Sequence, residues 1–346
     1  MSSRGFCRGL PSRTEPTVLV TLNCDGFAVL VQMAGSRGES APYQEKENDK
    51  PGAPQLAIGK VFIICLYNGQ TNSWTPDRKL ECEAVSFARR ATSGRSKPPL
   101  VFAETPFGET VEVWLKAPRL HPGISDTAPS REWMAARLAE DLGLPCPPPI
   151  LVRLTDDFTE SLSDENLAES LRAGPSVVYG AIHLGSGWRR WSEANKMPRH
   201  QHQIQGQTYL FDTIIQNWDR RIANPNILKK GDEFRILDHE ECFGSATAPD
   251  DEKPFIHVPW SVGGLTNFIA GDYQHPFWRT LKPSNHVDFN VAAQTWKRLP
   301  ADTFSMYAND APPEWGAACD DIASYLTLAV QHIDEVVVAI EGARQL

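Results

Sequence analysis

Asn217-Trp218-Asp219-Arg220-Arg221-Ile222-Ala223-Asn224-Pro225-Asn226, followed by Ile236-Leu237-Asp238, is the stretch whose reading decides the fold. An Asp with an Asn five positions on, then an Asp at the end of a short apolar strand, is how kinase-type folds set a hydroxyl-orienting carboxylate beside two metal ligands. Asp219 and Asn224 taken alone also fit a capped helix end and a turn, a common use of Asx residues. Capping does not explain the second Asp across a short hairpin. The combination therefore reads as the acidic site of a phosphotransferase, with Asp219 as the catalytic carboxylate and Asn224 and Asp238 as metal ligands.

Upstream, Ile204 to Trp218 is helical by pattern, with Phe211, Ile214, Ile215 and Trp218 on one face. Downstream, Asn226-Ile227-Leu228, a turn at Lys229-Lys230-Gly231-Asp232, and Phe234-Arg235-Ile236-Leu237-Asp238 form a hairpin that returns Asp238 toward Asn224. Asn226 rivals Asn224 as the ligand, being equally close to the hairpin start; spacing favours Asn224. Arg220 and Arg221 fit charge neutralisation of the carboxylates, contact with a phosphate, or surface salt bridges, and His239 either a metal's surroundings or the fold itself.

Further out, Pro99-Leu100-Val101-Phe102, a turn at Pro106-Phe107-Gly108, and Thr110 to Lys116 read as a hairpin whose second arm alternates with period two. Lys116 falls at a strand end, where a lysine is usually a solvated charge but in a phosphotransferase holds nucleotide phosphates. Ser130 reads as the N-cap of a helix from Arg131 to Leu142 that Gly143 stops, with Glu132 in its first turn placed to pair with Lys116. The strand Ile150 to Leu154 follows. Asp320 to about Glu341 reads as one long helix with Ile322, Leu326, Ala329, Ile333, Val337 and Ile340 as its buried stripe.

Bulk properties set no obstacle. The chain has 346 residues, 41% hydrophobic and 22% charged, and a net charge of −9, which gives no general attraction to nucleic acid or acidic membranes. Its seven cysteines are scattered and never form Cys-x-x-Cys, so neither a disulfide framework nor a zinc site is indicated, and a reducing cytoplasm is the expected compartment. The apolar run from Val18 to Met33 is interrupted by Asn23, Asp25 and Gly26 and is too polar to span a bilayer. Residues 1–82 are read as an extension, with isolated strands at Val18 to Leu22 and Val61 to Leu66 around a linker-like stretch.

Thr92-Ser93-Gly94-Arg95-Ser96-Lys97-Pro98 stands where a phosphate-covering loop belongs, but a single glycine makes a plain loop the simpler reading. If it does cover phosphates, Ser96 and Lys97 are its nucleotide contacts, and Ser93 or Ser96 a site of self-phosphorylation. His200 and His202 lack carboxylate or thiol neighbours for a metal. Trp188, Arg189, Arg190 and Trp191 offer stacking and charge for nucleic acid, with a packed loop preferred. Trp296 and Trp315 belong most simply to a helical core.

From about Glu83 onward the chain resembles the HipA-like kinases, an atypical serine/threonine group related to bacterial toxin kinases. The resemblance is carried by Gly94-Arg95-Ser96-Lys97-Pro98, Val113-Trp114-Leu115-Lys116, Glu132 with Leu138 to Pro145, and Phe211-Asp212 leading to Asn217-Trp218-Asp219-Arg220. It continues through Asn224-Pro225-Asn226-Ile227-Leu228, Ile236-Leu237-Asp238-His239, Cys242-Phe243-Gly244 and Pro313-Glu314-Trp315. It implies an α+β, two-lobed protein-kinase-like fold, with a small β-rich lobe at 83–155 and a mainly helical lobe at 156–346. It further implies ATP with magnesium, phosphorylation of a protein serine or threonine, self-phosphorylation, and an antitoxin-like regulator; the charge and the lack of a spanning segment lead us to expect neither nucleic acid nor membrane as partner. A small-molecule kinase of the same fold and a nucleotide-binding pseudokinase acting as an interaction module are the alternatives.

Overall fold

A computed structural model describes residues 22–24, 27–32, 62–67 and 70–71 by their backbone, and residues 81–345 except 93–96, 119, 122–123, 196–197, 250 and 254–255. The chain divides into two compact units, Met1–Arg78 and Lys79–Leu346. In the first, β1 (Leu22–Cys24), β2 (Phe27–Gln32), β3 (Phe62–Tyr67) and β4 (Gln70–Thr71) pair in that order as an antiparallel sheet. The expected strand at Val61 to Leu66 is β3 shifted by one residue, whereas most of Val18 to Leu22 lies outside the described residues.

The second unit is a mixed α/β structure that begins with a closed five-stranded barrel. Its strands are β5 (Glu81–Arg90), β6 (Pro99–Glu104), β7 (Thr110–Lys116), β8 (Pro149–Arg153) and β9 (Val177–Ile182), ordered β5-β6-β7-β9-β8. The expected hairpin is the β6–β7 pair, with Leu100 opposite Trp114 and Glu104 opposite Thr110. Closure comes from the parallel pairing of β5 with β8, Glu81 to Leu151 and Glu83 to Arg153. Inside pack Val101, Ala103, Val113, Leu115, Ile150, Val152 and Val178. Space there is so short that a β-carbon on Gly180 would lie 2.6 Å from Val113 Cγ1 and 2.8 Å from Val152 Cγ2, so only glycine fits. Leu151, between two inward residues of β8, points the other way and joins a second core. That double burial is why β8 reads as an unbroken apolar run.

The helix α1 (Ala128–Asp141) is buried almost all round, which matches its place between barrel and helices. It starts earlier than expected. Pro129 at the first helical turn is well suited to a helix start, so Thr127 is the boundary residue and Ser130 is buried within the helix rather than capping it. Gly143, at φ +67, ends it as expected. The short helices α2 (Asp156–Glu160) and α3 (Glu165–Arg172) cover the barrel. β9 lies beyond residue 155, so the barrel reaches further along the chain than the expected β-rich segment.

The remaining chain holds a small sheet and a helical core. β10 (Arg189–Arg190), β11 (Ile227–Lys230) and β12 (Glu233–Ile236) form an antiparallel sheet in that order. The helices are α4 (His202–Ile214), α5 (Gly244–Thr247), α6 (Thr266–Ile269), α7 (Phe289–Lys297), α8 (Thr303–Asp310), α9 (Gly316–Gln331) and α10 (Ile333–Arg344). Trp296 and Trp315 are in their core. The expected single C-terminal helix is two, bent by 65°. His332 stands at the break, its ring stacked on Trp260 at 5.1 Å and its Nδ1 2.8 Å from Glu335 Oε1. Neither Pro nor Gly marks that break, yet every residue of the predicted stripe is buried. Among the described residues no single helix is long and apolar enough to cross a membrane.

Candidate active site

α4 ends at Ile214, four residues short of the pattern-based expectation, because Gln216 turns to φ +58 and the Asn217 amide N–H bonds back to the Asp212 carbonyl at 2.8 Å. The loop that follows folds on itself through reciprocal backbone bonds between Arg221 and Asn224, at 3.1 and 2.9 Å. This fold-back brings Asn224 to Asp219. Asn224 Nδ2 donates to Asp219 Oδ2 at 2.7 Å, and Asn226 Nδ2, on the left-handed backbone of φ +46, donates to the same oxygen at 2.9 Å. Both asparagines therefore serve Asp219, where the sequence sets them as rivals. Arg190 Nη2 takes the other end of Asn224, 3.1 Å from Oδ1.

Arg220 holds this loop against the chain that leads to Asp238. Its Nη1 donates to the Asn226 carbonyl at 2.6 Å and to the Leu237 carbonyl at 2.9 Å, and its Nε to Asp212 Oδ2 at 2.7 Å. The surface salt bridge that the sequence allowed is thus corrected: both Arg220 and Asp212 are 0% exposed. Asp212 also accepts from Asn217 Nδ2 at 3.0 Å and lies 2.9 Å from His275 Nε2. Because His275 Nδ1 accepts the Phe277 N–H at 3.1 Å, the proton of the neutral ring sits on Nε2 and faces Asp212. Burial alone would raise the Asp212 carboxyl; the Arg220 guanidinium and then His275 outweigh it and hold it below the ordinary range. Burial likewise pushes His275 down.

The third part of the site is a clamp on Lys116. Asp238 lies two residues beyond β12, at φ +64, a conformation few non-glycine residues adopt. Its Oδ1 is 2.6 Å from Lys116 Nζ at the end of β7. Glu132 Oε1 on α1 stands 3.2 Å from the same nitrogen and Glu240 Oε2 3.3 Å. Burial disfavours the ammonium, but Asp238, Glu132 and Glu240 together raise Lys116 well above its ordinary value. Glu132, which burial would raise, is drawn down to about 2 by Lys116 and His239. Glu240 goes the other way, burial lifting it to about 7 against the pull of Lys116, which already faces two other carboxylates.

His239 joins the parts. Arg220 can only donate, so His239 Nε2 accepts from it at 2.9 Å, and Nδ1 carries the proton 3.5 Å from Glu132 Oε2. A buried polar chain thereby runs from His275 through Asp212, Arg220 and His239 to Glu132 and Lys116.

Of the residues expected at the site, Lys116, Glu132 and Asp238 meet in one cluster, and Asp219 and Asn224 in another joined to it through Arg220. Lys97 is exposed at the entry to β6, at φ +42, and Ser93 and Ser96 lie outside the described residues. Glu240, Arg190 and His275 were not foreseen as residues of this site, and Asn226 was weighed only as a rival of Asn224. Glu240, two residues after Asp238 in sequence, was open to detection; His275, 63 positions from Asp212, offered no local signal. Among the described residues, the group of carboxylates close enough to share a metal is Glu132, Asp238 and Glu240, with ligand atoms within 4.8 Å of one another, and neither His200 nor His202 joins it. These are hard oxygen donors, which fit magnesium or a similar ion, whereas the thiols of half-buried Cys146 and buried Cys242 are kept protonated by desolvation.

Residues 123–259 match the family model described as HipA-like kinase. No curated protein matches the chain. Among solved structures, the proinflammatory kinase CtkA of Helicobacter pylori is similar at 14% identity, with a TM-score of 0.47 over 77% of this chain and 98% of that one. Lys116 precedes the matched segment, so its assignment to the site rests on the clamp itself. Over residues 123–259, which carry Glu132, Asp219, Asn224 and Asp238, the chain is similar to the HipA-like kinases, and that likeness supports a kinase-type phosphotransferase.

Proposed function

We propose that the protein transfers the γ-phosphoryl group of ATP, with magnesium, to a serine or threonine hydroxyl of a protein, its own chain included. The observation that carries this reading is the meeting of Lys116, Glu132 and Asp238 beside the Asp219–Asn224–Asn226 cluster, because phosphoryl transfer is mostly a matter of placed charge. Magnesium-bound ATP, when present, supplies the transferable group and the ion that offsets its charge. Lys116 contacts its phosphates, and Glu132 keeps that ammonium charged and aimed. Asp238, with Asn224 and Glu240 as further oxygen donors, would hold the ion. Asp219 orients the acceptor. Both asparagine amides fall on its Oδ2, which fixes the carboxylate and leaves Oδ1 to take the hydrogen bond of the incoming hydroxyl.

The test is incubation of the purified protein with magnesium and γ-labelled ATP, with Asp219→Asn alongside. Label on protein that disappears in the variant supports the reading. Bound nucleotide with no phosphate moved to any protein would overturn it.

A further inference from the structure

β10 carries two exposed arginines in a chain whose net charge is −9. Arg190 is paired with Leu228, Leu228 with Arg235, and Lys230 with Glu233. Directly paired residues share a face of a sheet and neighbours along a strand alternate, so Arg190, Leu228, Lys230, Glu233 and Arg235 lie on one side. Ile227, Phe234 and Ile236 occupy the other and are buried in the core, which makes the Arg190 side the outward one. Lys230 is exposed there. Glu233 is already answered by Arg235 at 3.3 Å, and the Arg235 guanidinium lies over the Trp188 ring, 5.1 Å from its centroid. The face is thus net positive, and it abuts the loop of Asp219: Arg190 Nη2 donates to the Ala223 carbonyl at 3.0 Å and to Asn224 Oδ1 at 3.1 Å. A guanidinium has five N–H donors, and this anchoring uses one nitrogen.

We propose that the outward face of β10, β11 and β12 is a docking subsite for an acidic segment of the protein substrate, with Arg190 and Lys230 pairing its carboxylates. The inference rests on the phosphotransferase reading, since it takes Asp219 as the point to which the acceptor hydroxyl is delivered. Enzymes that act on protein hydroxyls choose among them by charge patterns beside the acceptor, and this face holds the cations next to Asp219. Single-stranded nucleic acid fits less well. Stacking on bases needs free aromatic faces, but Trp191 is buried and Trp188 is covered by Arg235. A long polyanion also meets the negative field of the whole molecule, whereas a short acidic segment meets only the local cations.

The experiment is fluorescence anisotropy with the full chain and three labelled probes: a serine peptide flanked by glutamates, the same peptide with glutamines, and an oligouridylate. The glutamate peptide is expected to bind about tenfold tighter than the glutamine peptide and to weaken with added salt. Lys230→Glu, at an exposed position, and Arg190→Glu are each expected to abolish that preference while circular dichroism stays unchanged. Equal affinity for the two peptides, no binding of either, or an unaltered preference in Lys230→Glu would overturn the proposal. So would binding of the oligouridylate in place of the glutamate peptide, which would assign the face to nucleic acid. Because binding is read without ATP, its failure leaves the phosphotransferase reading standing, and loss of labelling in the assay above leaves peptide binding measurable.

Discussion

A lysine among three carboxylates is stable only as a charged group, and Glu132 is the partner that holds it from α1. Glu132→Gln keeps the shape and removes the charge. It is expected to raise the KM for ATP about tenfold or more while the protein stays folded, because Lys116 then leans toward Asp238 and Glu240 alone. An unchanged KM in steady-state kinetics would remove Glu132 from the site. Outside the site, burial raises Glu140 to about 7, ahead of the opposing effect of Arg137. Between the ordinary glutamate value and about 7 the folded protein keeps a proton that the unfolded chain releases, so stability falls as pH rises through that window and stays reduced above it. Glu140→Gln removes this effect. Urea unfolding is expected to show the variant more stable on the order of 2 kcal/mol near pH 8, with no gain near pH 4.

At the level of elements, the barrel depends on Gly180. A methyl group there would press on the β-branched side chains of Val113 and Val152, which have no room to turn away. Gly180→Ala is expected to destabilise the protein by about 1–3 kcal/mol, read as a lower urea midpoint at unchanged slope; an unaltered midpoint would mean that the barrel gives way freely. How legible the elements were in the sequence follows the range of the interactions that make them. Lys116 at a strand end and Asp238 after a hairpin were readable because period two and turn chemistry are local signals. Barrel closure was not, since β5 meets β8 in parallel across some seventy residues, Glu81 against Leu151, and neither strand announces its partner. The break at His332 was hidden for a related reason: stacking on Trp260, far away in the chain, marks it rather than Pro or Gly.

For the molecule as a whole, the buried chain from His275 to Lys116 makes core stability and site geometry one problem. Breaking a buried ion pair leaves a charge uncompensated, so Asp212→Ala is expected to cost about 3–5 kcal/mol. The Asp212 carboxyl is held below its ordinary value by Arg220 and His275, so its contribution is complete above the ordinary aspartate range and is lost as pH falls through the lowered value. The acid side of the stability profile should therefore be flatter in Asp212→Ala than in the native protein, as pH-dependent urea unfolding would show. The candidate site was half legible at this scale. Its carboxylates and lysine stand at positions that pattern and resemblance single out. Of the groups that join them, Arg220, wholly buried, was weighed between a part at the site and a surface salt bridge, and His275, from a distant loop, was not singled out, because only tertiary packing brings them there.

In the proposed function Asp219 acts on the acceptor hydroxyl in a site whose nucleotide end is Lys116. The most direct measurement is the rate of γ-phosphate transfer to protein in Asp219→Asn, taken with its affinity for magnesium-bound ATP. Transfer reduced about 100-fold or more with nucleotide affinity within about twofold of the native protein is the predicted result, since the variant's amide oxygen can still accept from Asn224 and Asn226 while the acceptor loses its carboxylate. Transfer at the native rate in Asp219→Asn would contradict the account.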